Sequence, residues 1–385
     1  MRRIDKQKLY NNVISRVEND IENKVIGGAS VLVAQKGEIL LEECRGYSDV
    51  ERKIPLNKDN IFRLASMTKP ITAAAALVAE ERGYFSLSDP ISRHFPEFLN
   101  MKVGRLEGNN VVPDHPIRKE PILRDFLTHT SGFMCVSPLF EKQNADIPRS
   151  AFESLQTMVD YCLKNTYLTF DPCEATGYGA YLPFDIIARL IEMKSGMKYA
   201  DFVNYYVLYP LNIKDITYNP TEEQWGRFVT MCERSSSEKM VNVDLGRHIF
   251  ENFPLSYTCA GGGLSGNAKS YLRFAEMLRQ GGEYGGVRIL SEESVKKLHT
   301  VYIGEELIGK NATTGWGLSV QVRRKGYPHL TEGSYGWSGA YGTHFFIDPE
   351  NELVAIYLKN TRWYDSHGAG MTGRHFEADV ADALN

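Results

Sequence analysis

The chain has 385 residues, of which 43% are hydrophobic and 24% charged, a composition that is typical of a globular protein and excludes a disordered or fibrous one. Its 44 basic and 48 acidic side chains give a net charge of −4, so we predict no nucleic-acid partner and no attraction to anionic membranes. The length allows one large domain or two to three ordinary ones.

The start of the chain and its cysteines bear on the cellular compartment. No apolar run follows Arg2 and Arg3, so we predict no signal peptide, and no stretch approaches the roughly 18 apolar residues that span a bilayer. The six cysteines form no C-x-x-C pair, and a chain of this size does not need disulfides for stability. We therefore predict reduced thiols and a cytoplasmic protein.

Apolar periodicity predicts the first elements of the chain. Apolar residues recur every four positions over 8–22, which predicts an amphipathic helix. Residues 29–35 and 38–45 read as strands joined by a Lys-Gly turn, which predicts a hairpin. An alanine-rich run over 71–80 predicts a buried helix that ends near the next glycine.

The middle of the chain has a different pattern. Apolar positions recur at helical spacing over 152–162 and 187–191. Long polar stretches over 101–120 and 233–245 predict loops, and loops of that length inside a domain often form lids or clefts.

Strands return at the end of the chain, over 317–323, 342–347 and 353–358. We therefore predict an α+β fold, in which an antiparallel sheet from both chain ends is flanked by helices. Residues 1–85 and 250–385 would form this sheet region, residues 86–249 an inserted and mainly helical region, and the two together one catalytic unit.

Ser66 and Lys69 are the first candidate for chemistry. Ser66 falls at the start of the alanine-rich helix, and Lys69 lies three residues later on the same face. A lysine buried against that helix is favoured in its neutral form and can accept the serine proton, while the helix N-terminus favours developing negative charge. Spacing alone leaves an ordinary N-cap serine as an equal alternative. Three other pairs share the spacing in polar or exposed settings: Ser195/Lys198, Ser236/Lys239 and Ser294/Lys297.

Other candidates fail tests of their sequence context. Ser338 resembles the serine of a G-x-S-x-G elbow, but a strand rather than a helix is predicted after it. The nine histidines show no metal-ligand spacing, and His129 is best interpreted as a structural hydrogen-bonding residue at a helix end. The glycines at 261–263 lack the surroundings of a phosphate loop and predict a tight turn. We predict no metal and no cofactor.

Several segments, in order along the chain, resemble the serine β-lactamase and penicillin-binding superfamily. Ser66-Met67-Thr68-Lys69 is similar to its first motif, and other similar segments lie at 126–133, 261–275, 286–291 and 315–318. The resemblance extends over about residues 27–360 and is closest to the class C β-lactamase branch, in particular the family VIII carboxylesterases. It implies the β-lactamase/transpeptidase-like fold.

The second family motif, Tyr-x-Asn or Tyr-Ser-x, corresponds here to Tyr178-Gly179-Ala180, with Tyr181 as the alternative tyrosine. Ala180 stands where β-lactamases usually have an asparagine that binds the acylamide group of the substrate. The resemblance therefore argues against strong β-lactamase activity.

The third family motif, Lys-Thr-Gly or His-x-Gly, corresponds to Trp337-Ser338-Gly339, which resembles the Trp-Gly-Gly of family VIII esterases. The cation that would pair with a substrate carboxylate is absent, and an uncharged tryptophan suits neutral esters or amides better. Arg362, just after the last strand, is a further candidate for substrate binding, with a solvated surface arginine as the alternative.

The resemblance implies a serine hydrolase that forms an acyl-enzyme on Ser66. Lys69 and Tyr178 would share the role of general base, and the backbone N–H groups of Ser66 and Ala340 would form the oxyanion hole. The substrate would be a small ester, amide or β-lactam-like molecule. Three alternatives remain open: an acyltransferase using the same site, a weak β-lactamase or D-alanyl-D-alanine carboxypeptidase-type protein, and a catalytically silent ligand-sensing module.

Overall fold

A computed structural model describes residues 1–247, 253, 257–362 and 369–385. Within these residues the α-helices are α1 (Lys6–Glu22), α2 (Thr68–Glu81), α3 (Leu123–Leu127), α4 (Pro138–Ala145), α5 (Leu155–Asn165), α6 (Leu182–Ser195), α7 (Tyr199–Val203), α8 (Glu222–Trp225), α9 (Ala268–Arg279), α10 (Glu292–His299), α11 (Glu305–Ile308) and α12 (Thr372–Asp382). The strands are β1 (Gly28–Gln35), β2 (Glu38–Asp49), β3 (Ile54–Pro55), β4 (Phe62–Arg63), β5 (Lys102–Glu107), β6 (Asn110–Pro116), β7 (Met231–Arg234), β8 (Met240–Val243), β9 (Ser265–Gly266), β10 (Glu283–Tyr284), β11 (Val287–Arg288), β12 (Thr314–Trp316), β13 (Gln321–Arg323), β14 (Tyr335–Ser338), β15 (His344–Asp348) and β16 (Leu353–Lys359).

The central sheet combines strands from both ends of the chain. Among the described residues its order is β12-β13-β14-β15-β16-β1-β2-β3, with antiparallel neighbours throughout. Because β1 lies between β16 and β2, Val31 is opposite both Tyr357 and Glu43. The predicted α+β fold with an antiparallel sheet from both chain ends is thus confirmed.

Both faces of the sheet are covered by helices, which explains why β1 is buried along its whole length. Side chains alternate between the faces, so that Leu32 and Ile356 belong to the core that also contains buried residues of α2, α5, α6 and α9, while Val31 and Ala355 belong to the core that contains residues of α1 and α12. We call the face that carries Leu32 and Ile356 the site face, and the face that carries Val31 and Ala355 the terminal-helix face. The predicted helices over 8–22, 71–80 and 187–191 correspond to α1, α2 and α6.

Two segments that were predicted to be loops are hairpins instead. Strands β5 and β6 pair within 101–120, and β7 and β8 pair around 233–245. The prediction was wrong because most side chains of β5, β6 and β8 are in contact with solvent, so these strands lack the apolar alternation that marks a half-buried strand. Backbone pairing, which the sequence pattern does not report, holds them together.

The predicted strand over 317–323 is also interrupted. A turn in which the Gly317 N–H donates to the Val320 carbonyl separates β12 from β13, and Ser319 adopts φ +67° within it. The proposed division into 1–85 with 250–385 and 86–249 remains a prediction, and its boundary at 249/250 lies outside the described residues.

The end of β14 lies directly against the start of α2. A Cβ on Gly339 would lie 2.4 Å from the Leu64 carbonyl oxygen, so only glycine allows this approach. The Thr343 hydroxyl donates to the same carbonyl at 2.9 Å. These contacts bring the segment after β14 beside Ser66, where the sequence placed the candidate chemistry.

Candidate active site

Ser66 lies in a short turn that leads into α2. Residues Ala65–Met67 form one turn of 3₁₀-helix before α2 begins at Thr68, and Ala65 has φ +47°, a left-handed conformation that costs free energy for an alanine. Such strain is common where the chain must present a reactive side chain. Ser66 is partly exposed, while Lys69, one turn later, is fully buried.

The Lys69 amino group has three oxygen neighbours. Its Nζ lies 3.0 Å from Ser66 Oγ, 2.6 Å from the Ala180 carbonyl and 2.7 Å from the Gly261 carbonyl. A neutral amine has two N–H donors and one lone pair, so donation to the two carbonyls leaves the lone pair for the Ser66 hydroxyl proton. The geometry therefore suits proton transfer from Ser66 to Lys69.

A glycine allows the two carbonyls to converge on Lys69. A Cβ on Gly261 would lie 2.4 Å from the Ala180 carbonyl oxygen and 2.6 Å from Tyr181 Cα, so any other residue would separate the two segments. The turn before it is fixed on two sides, because the Ala260 carbonyl accepts from Thr72 of α2 at 2.7 Å and the Ala260 N–H donates to Asp185 of α6 at 2.8 Å. The turn that the sequence predicts at 261–263 therefore supplies a carbonyl that contacts the Lys69 amino group.

Tyr178 is part of the same group of residues. Lys69 Nζ lies 4.9 Å from the centroid of the Tyr178 ring, and the Trp337 indole N–H donates to the Tyr178 hydroxyl at 3.0 Å. A donor on the phenol oxygen stabilises its deprotonated form, which helps a tyrosine that must give up its proton. The structure thus brings together Ser66, Lys69, Tyr178 and Trp337.

The alternative tyrosine lies elsewhere. The Tyr181 hydroxyl donates to the Asn144 side chain, and burial raises the pKa of Tyr181 well above its ordinary value of 10.0. A phenol in that position stays protonated and makes its hydrogen bond to Asn144. Of the two tyrosines that the sequence left open, Tyr178 is the one whose ring lies against the Lys69 amino group, and its role in proton exchange remains a prediction.

Gly339 and Ala340 border the turn that carries Ser66. Ala340 packs with Ala65 and Tyr341 in a small apolar cluster, next to the close contact between Gly339 and Leu64. This arrangement suits the predicted oxyanion hole from the N–H groups of Ser66 and Ala340, which remains a prediction.

Ser338 points in a different direction from Trp337. Neighbouring residues of a strand face opposite sides, and the Ser338 hydroxyl lies on the terminal-helix face, 2.8 Å from His344 Nδ1. His344 Nε2 in turn lies 3.1 Å from the Glu377 carboxylate of α12. The structure therefore does not bring the Ser338 side chain to Ser66, and the strand β15 follows it where an elbow would need a helix.

Arg362 lies at the end of β16 and contacts β7. Its guanidinium is 3.4 Å from the Glu233 carboxylate, and its backbone N–H donates to the Cys232 carbonyl at 3.0 Å. The described contacts of Arg362 are thus with β7, and its role in substrate binding remains a prediction.

Two buried titratable residues close to Lys69 were not predicted to belong to the site. Burial raises the pKa of Asp185 to about 7, although Tyr257, the Ala260 N–H and the charge of Lys69 all lower it. Burial and the charge of Lys69 lower the pKa of His129 well below 6.5. The signal that could have identified Asp185 from the sequence is an acidic residue within the apolar segment of α6. His129 was interpreted from the sequence only as a structural residue.

The described part of the chain contains no group of three or more histidine, cysteine, aspartate or glutamate side chains placed to hold a metal ion. Nor does it contain a helix with the length and apolar character needed to cross a membrane. The cysteines in it are all unpaired thiols.

The chain is similar over most of its length to known proteins. The family model described as Beta-lactamase matches residues 13–378. Protein Rv1367c of Mycobacterium tuberculosis is 29% identical over 348 residues, which cover 87% of this chain and 86% of that protein. Esterase EstB of Burkholderia gladioli is 27% identical over 377 residues, covering 90% of this chain and 88% of that protein.

A solved structure of similar fold covers nearly the whole chain. It is described as EstCE1, a hydrolase with promiscuous acyltransferase activity, and aligns with a TM-score of 0.79 and 22% identity over 98% of both chains. At that level of identity, the likeness establishes the fold.

Proposed function

The chain belongs to the beta-lactamase family, and on that premise we propose that it cleaves esters or small amides through a covalent acyl-enzyme on Ser66. Members of the family and the esterase relatives are serine hydrolases, and this chain is a serine hydrolase of the same kind. The family resemblance noted in the motifs is thereby confirmed.

The contact of Lys69 with Ser66 carries the proposal. The amino group lies 3.0 Å from the hydroxyl and is oriented by two carbonyls, so that its lone pair faces the proton it must accept. Ser66 Oγ would attack the substrate carbonyl carbon as its proton passes to Lys69. The N–H groups of Ser66 and Ala340 would stabilise the resulting oxyanion, an interaction of about 3 kcal/mol per donor.

Tyr178 would complete the first half-reaction. Its hydroxyl would protonate the leaving alcohol or amine as the bond to the acyl carbon breaks, and it would recover a proton from Lys69. Water would then attack the Ser66 ester, with Tyr178 and Lys69 as the base, and release the acid. The indole N–H of Trp337, 3.0 Å from the phenol oxygen, would stabilise the phenolate at the stage where it has lost its proton.

Two residues favour esters and small amides over β-lactams. Trp337 contacts Tyr178 at a position where the motif of β-lactamases has a cation for the substrate carboxylate, and Ala180 replaces the amide that would bind an acylamide side chain. The name of the relative EstB, an esterase, supports the same preference.

A hydrolysis panel tests the proposal. Short-chain p-nitrophenyl esters, a chromogenic cephalosporin and D-amino-acid amides are compared for the parent and Ser66→Ala, and intact mass after ester addition identifies the acylated residue. We expect ester turnover, a mass increase equal to the acyl group on Ser66, and loss of both in Ser66→Ala. Full activity of Ser66→Ala would refute the mechanism, and faster cephalosporin turnover would refute the ester preference.

Acyl transfer is the second candidate, since an alcohol or amine can replace water in attacking the same Ser66 ester. The description of the structural neighbour EstCE1 as a hydrolase with promiscuous acyltransferase activity favours this candidate. Product analysis with and without an added alcohol distinguishes the two, because an acyltransferase yields the new ester and a hydrolase only the free acid.

A further inference from the structure

The side chain of His129 packs against the ring of Tyr178, and His129 has no role in the proposed mechanism. It follows α3, adopts φ +63° and is almost completely buried. A positive φ is uncommon outside glycine, although asparagine, aspartate and histidine adopt it more readily than other residues. The centroid of its ring is 4.6 Å from that of Tyr178 and 4.4 Å from that of Trp316.

Tyr178 has a glycine on either side, so the residue types of this segment by themselves restrict its backbone little. Tyr178 stands between Gly177 and Gly179, where added Cβ atoms would lie 2.6 Å from Phe170 and 2.6 Å from Pro183. Close packing thus requires glycine at both positions, and glycine is the residue with the greatest backbone freedom. Hydrogen bonds to the backbone of this segment therefore help to set the position of the Tyr178 hydroxyl, together with the contacts of the side chain with Trp316 and Trp337.

His129 supplies hydrogen bonds on both sides of Tyr178. Its carbonyl accepts the Gly177 N–H at 2.9 Å, and its Nδ1 accepts the Gly179 N–H at 3.2 Å. On a third side the Tyr178 carbonyl accepts the Cys135 N–H at 2.8 Å. One residue thus holds the two peptide groups that flank the proposed proton-transfer residue.

The hydrogen bond to Gly179 fixes the protonation state of the imidazole. Nδ1 can accept only if it carries no proton, so the proton of the neutral ring is on Nε2. Burial and the positive charge of Lys69 lower the pKa of His129, in agreement with a ring that stays neutral. A protonated ring would lose the acceptor and place a positive charge beside the amino group of Lys69, which must itself take up a proton in the proposed mechanism.

We propose that His129 is a positioning residue for Tyr178: its carbonyl and Nδ1 hold the N–H groups of Gly177 and Gly179, and thereby fix the position of the phenol beside Lys69. The proposal rests on the proposed acyl-enzyme mechanism. His129 itself does not touch the reacting atoms.

A matched pair of amide variants tests the acceptor. In His129→Asn the side-chain oxygen is attached at the same atom as Nδ1 and can accept from Gly179, whereas in His129→Gln it lies one carbon further out. We expect kcat for p-nitrophenyl acetate to fall about threefold or less in His129→Asn and at least tenfold in His129→Gln, with KM within threefold in both. Equal losses in two folded variants would overturn the proposal.

A double-mutant cycle separates positioning of Tyr178 from a general loss of structure. Tyr178→Phe alone should lower kcat by about 10²-fold or more. If His129 acts through the phenol, adding His129→Gln to Tyr178→Phe should lower kcat by no more than a further threefold. Losses that multiply would overturn the proposal.

Two controls keep the outcomes distinct. Thermal unfolding followed by circular dichroism identifies a variant that does not fold. Should His129→Gln fail to fold, the decision rests on His129→Asn, for which a folded protein with a tenfold or larger loss overturns the proposal. Activity that survives in Ser66→Ala refutes the acyl-enzyme mechanism itself. Loss of activity in Ser66→Ala together with multiplying losses in the cycle refutes only the role of His129.

Discussion

Lys69 and Glu377 are both fully buried ionisable residues, one on each face of the same sheet, but their surroundings are opposite. Lys69 is surrounded by uncharged oxygens of Ser66, Ala180 and Gly261. The Glu377 carboxylate pairs with Arg323, lies 3.1 Å from His344 Nε2 and accepts from the Tyr327 hydroxyl at 2.6 Å.

The pKa values around the two groups reflect this difference. Near Lys69, burial raises the pKa of Asp185 to about 7 and lowers that of His129, so both neighbours are shifted toward their neutral forms. On the terminal-helix face, Arg323 and His344 overcome the effect of burial and hold the pKa of Glu377 well below its ordinary range. A buried amino group among neutral acceptors can exchange a proton, whereas loss of one partner from a buried ion-pair network leaves an uncompensated charge and destabilises the fold.

Replacement of Lys69 should give the largest effect. In Lys69→Met the base is lost, and we expect the rate of Ser66 acylation to fall about 10³-fold or more. The free energy of unfolding should change little, because a polar amino group no longer has to be buried while the Ala180 and Gly261 carbonyls lose its hydrogen bonds. Stopped-flow acylation and denaturant unfolding measure the two. Lys297→Met, in one of the other Ser-x-x-Lys pairs, is the control and should retain activity within twofold. If Lys69→Met acylates at the normal rate, Lys69 is not the base, and the functional contrast between Lys69 and Glu377 does not hold.

Glu377 should show the opposite result. Glu377→Gln leaves the buried Arg323 without its ionised partner, and we expect a loss of about 3–5 kcal/mol in the free energy of unfolding, with turnover per folded molecule within about fivefold of the parent. Titration of active Ser66 counts the folded molecules. Glu350→Gln, on the exposed turn between β15 and β16, is the control and should leave stability unchanged. Full stability in Glu377→Gln would contradict a structural role of the network.

Asp185 should make stability depend on pH. The pKa of Asp185 is about 7 in the folded protein, against an ordinary value of 3.8 for an aspartate, so the folded state binds the proton more tightly than the unfolded state. The free energy of unfolding should therefore fall as the pH rises from about 4 to about 7. In Asp185→Asn this contribution, about 3 kcal/mol between pH 4.5 and 7.5, should disappear. Denaturant unfolding of the parent and the variant at pH 4.5 and 7.5 measures the difference. Parallel pH profiles would show that the carboxyl is ionised in the folded protein.

Trp337 should give the smallest effect. Trp337→Phe keeps an aromatic ring beside Tyr178 but removes the indole donor, and one such hydrogen bond contributes about 1 kcal/mol, so we expect kcat to fall about fivefold. The matched variant Trp225→Phe, in α8, should retain the activity of the parent. An unchanged kcat in Trp337→Phe would mean that the donor does not assist the phenolate.

Local chemistry made part of the site predictable from the sequence. The spacing of Ser66 and Lys69 places both on one face wherever a helix begins there, and the alanine-rich run after them ensures that helix. Tyr178 could be proposed only with the help of the family resemblance, because nothing in its own neighbourhood distinguishes it from Tyr181. Asp185 and His129 were missed as members of the site, since their closeness to Lys69 arises from segments far apart in the chain.

The sequence by itself determined the sheet from both chain ends, α1, α2 and α6, because apolar periodicity reports which side of an element is buried. Tertiary structure alone decided which tyrosine meets Lys69, which face Ser338 takes and which carbonyls orient the amine. Those features depend on close approaches such as Gly261 against Ala180 and Gly339 against Leu64, which join residues that are distant in sequence. Hydrogen-bond geometry in the folded chain, rather than residue type, separates a lysine that can act as a base from one that only carries charge.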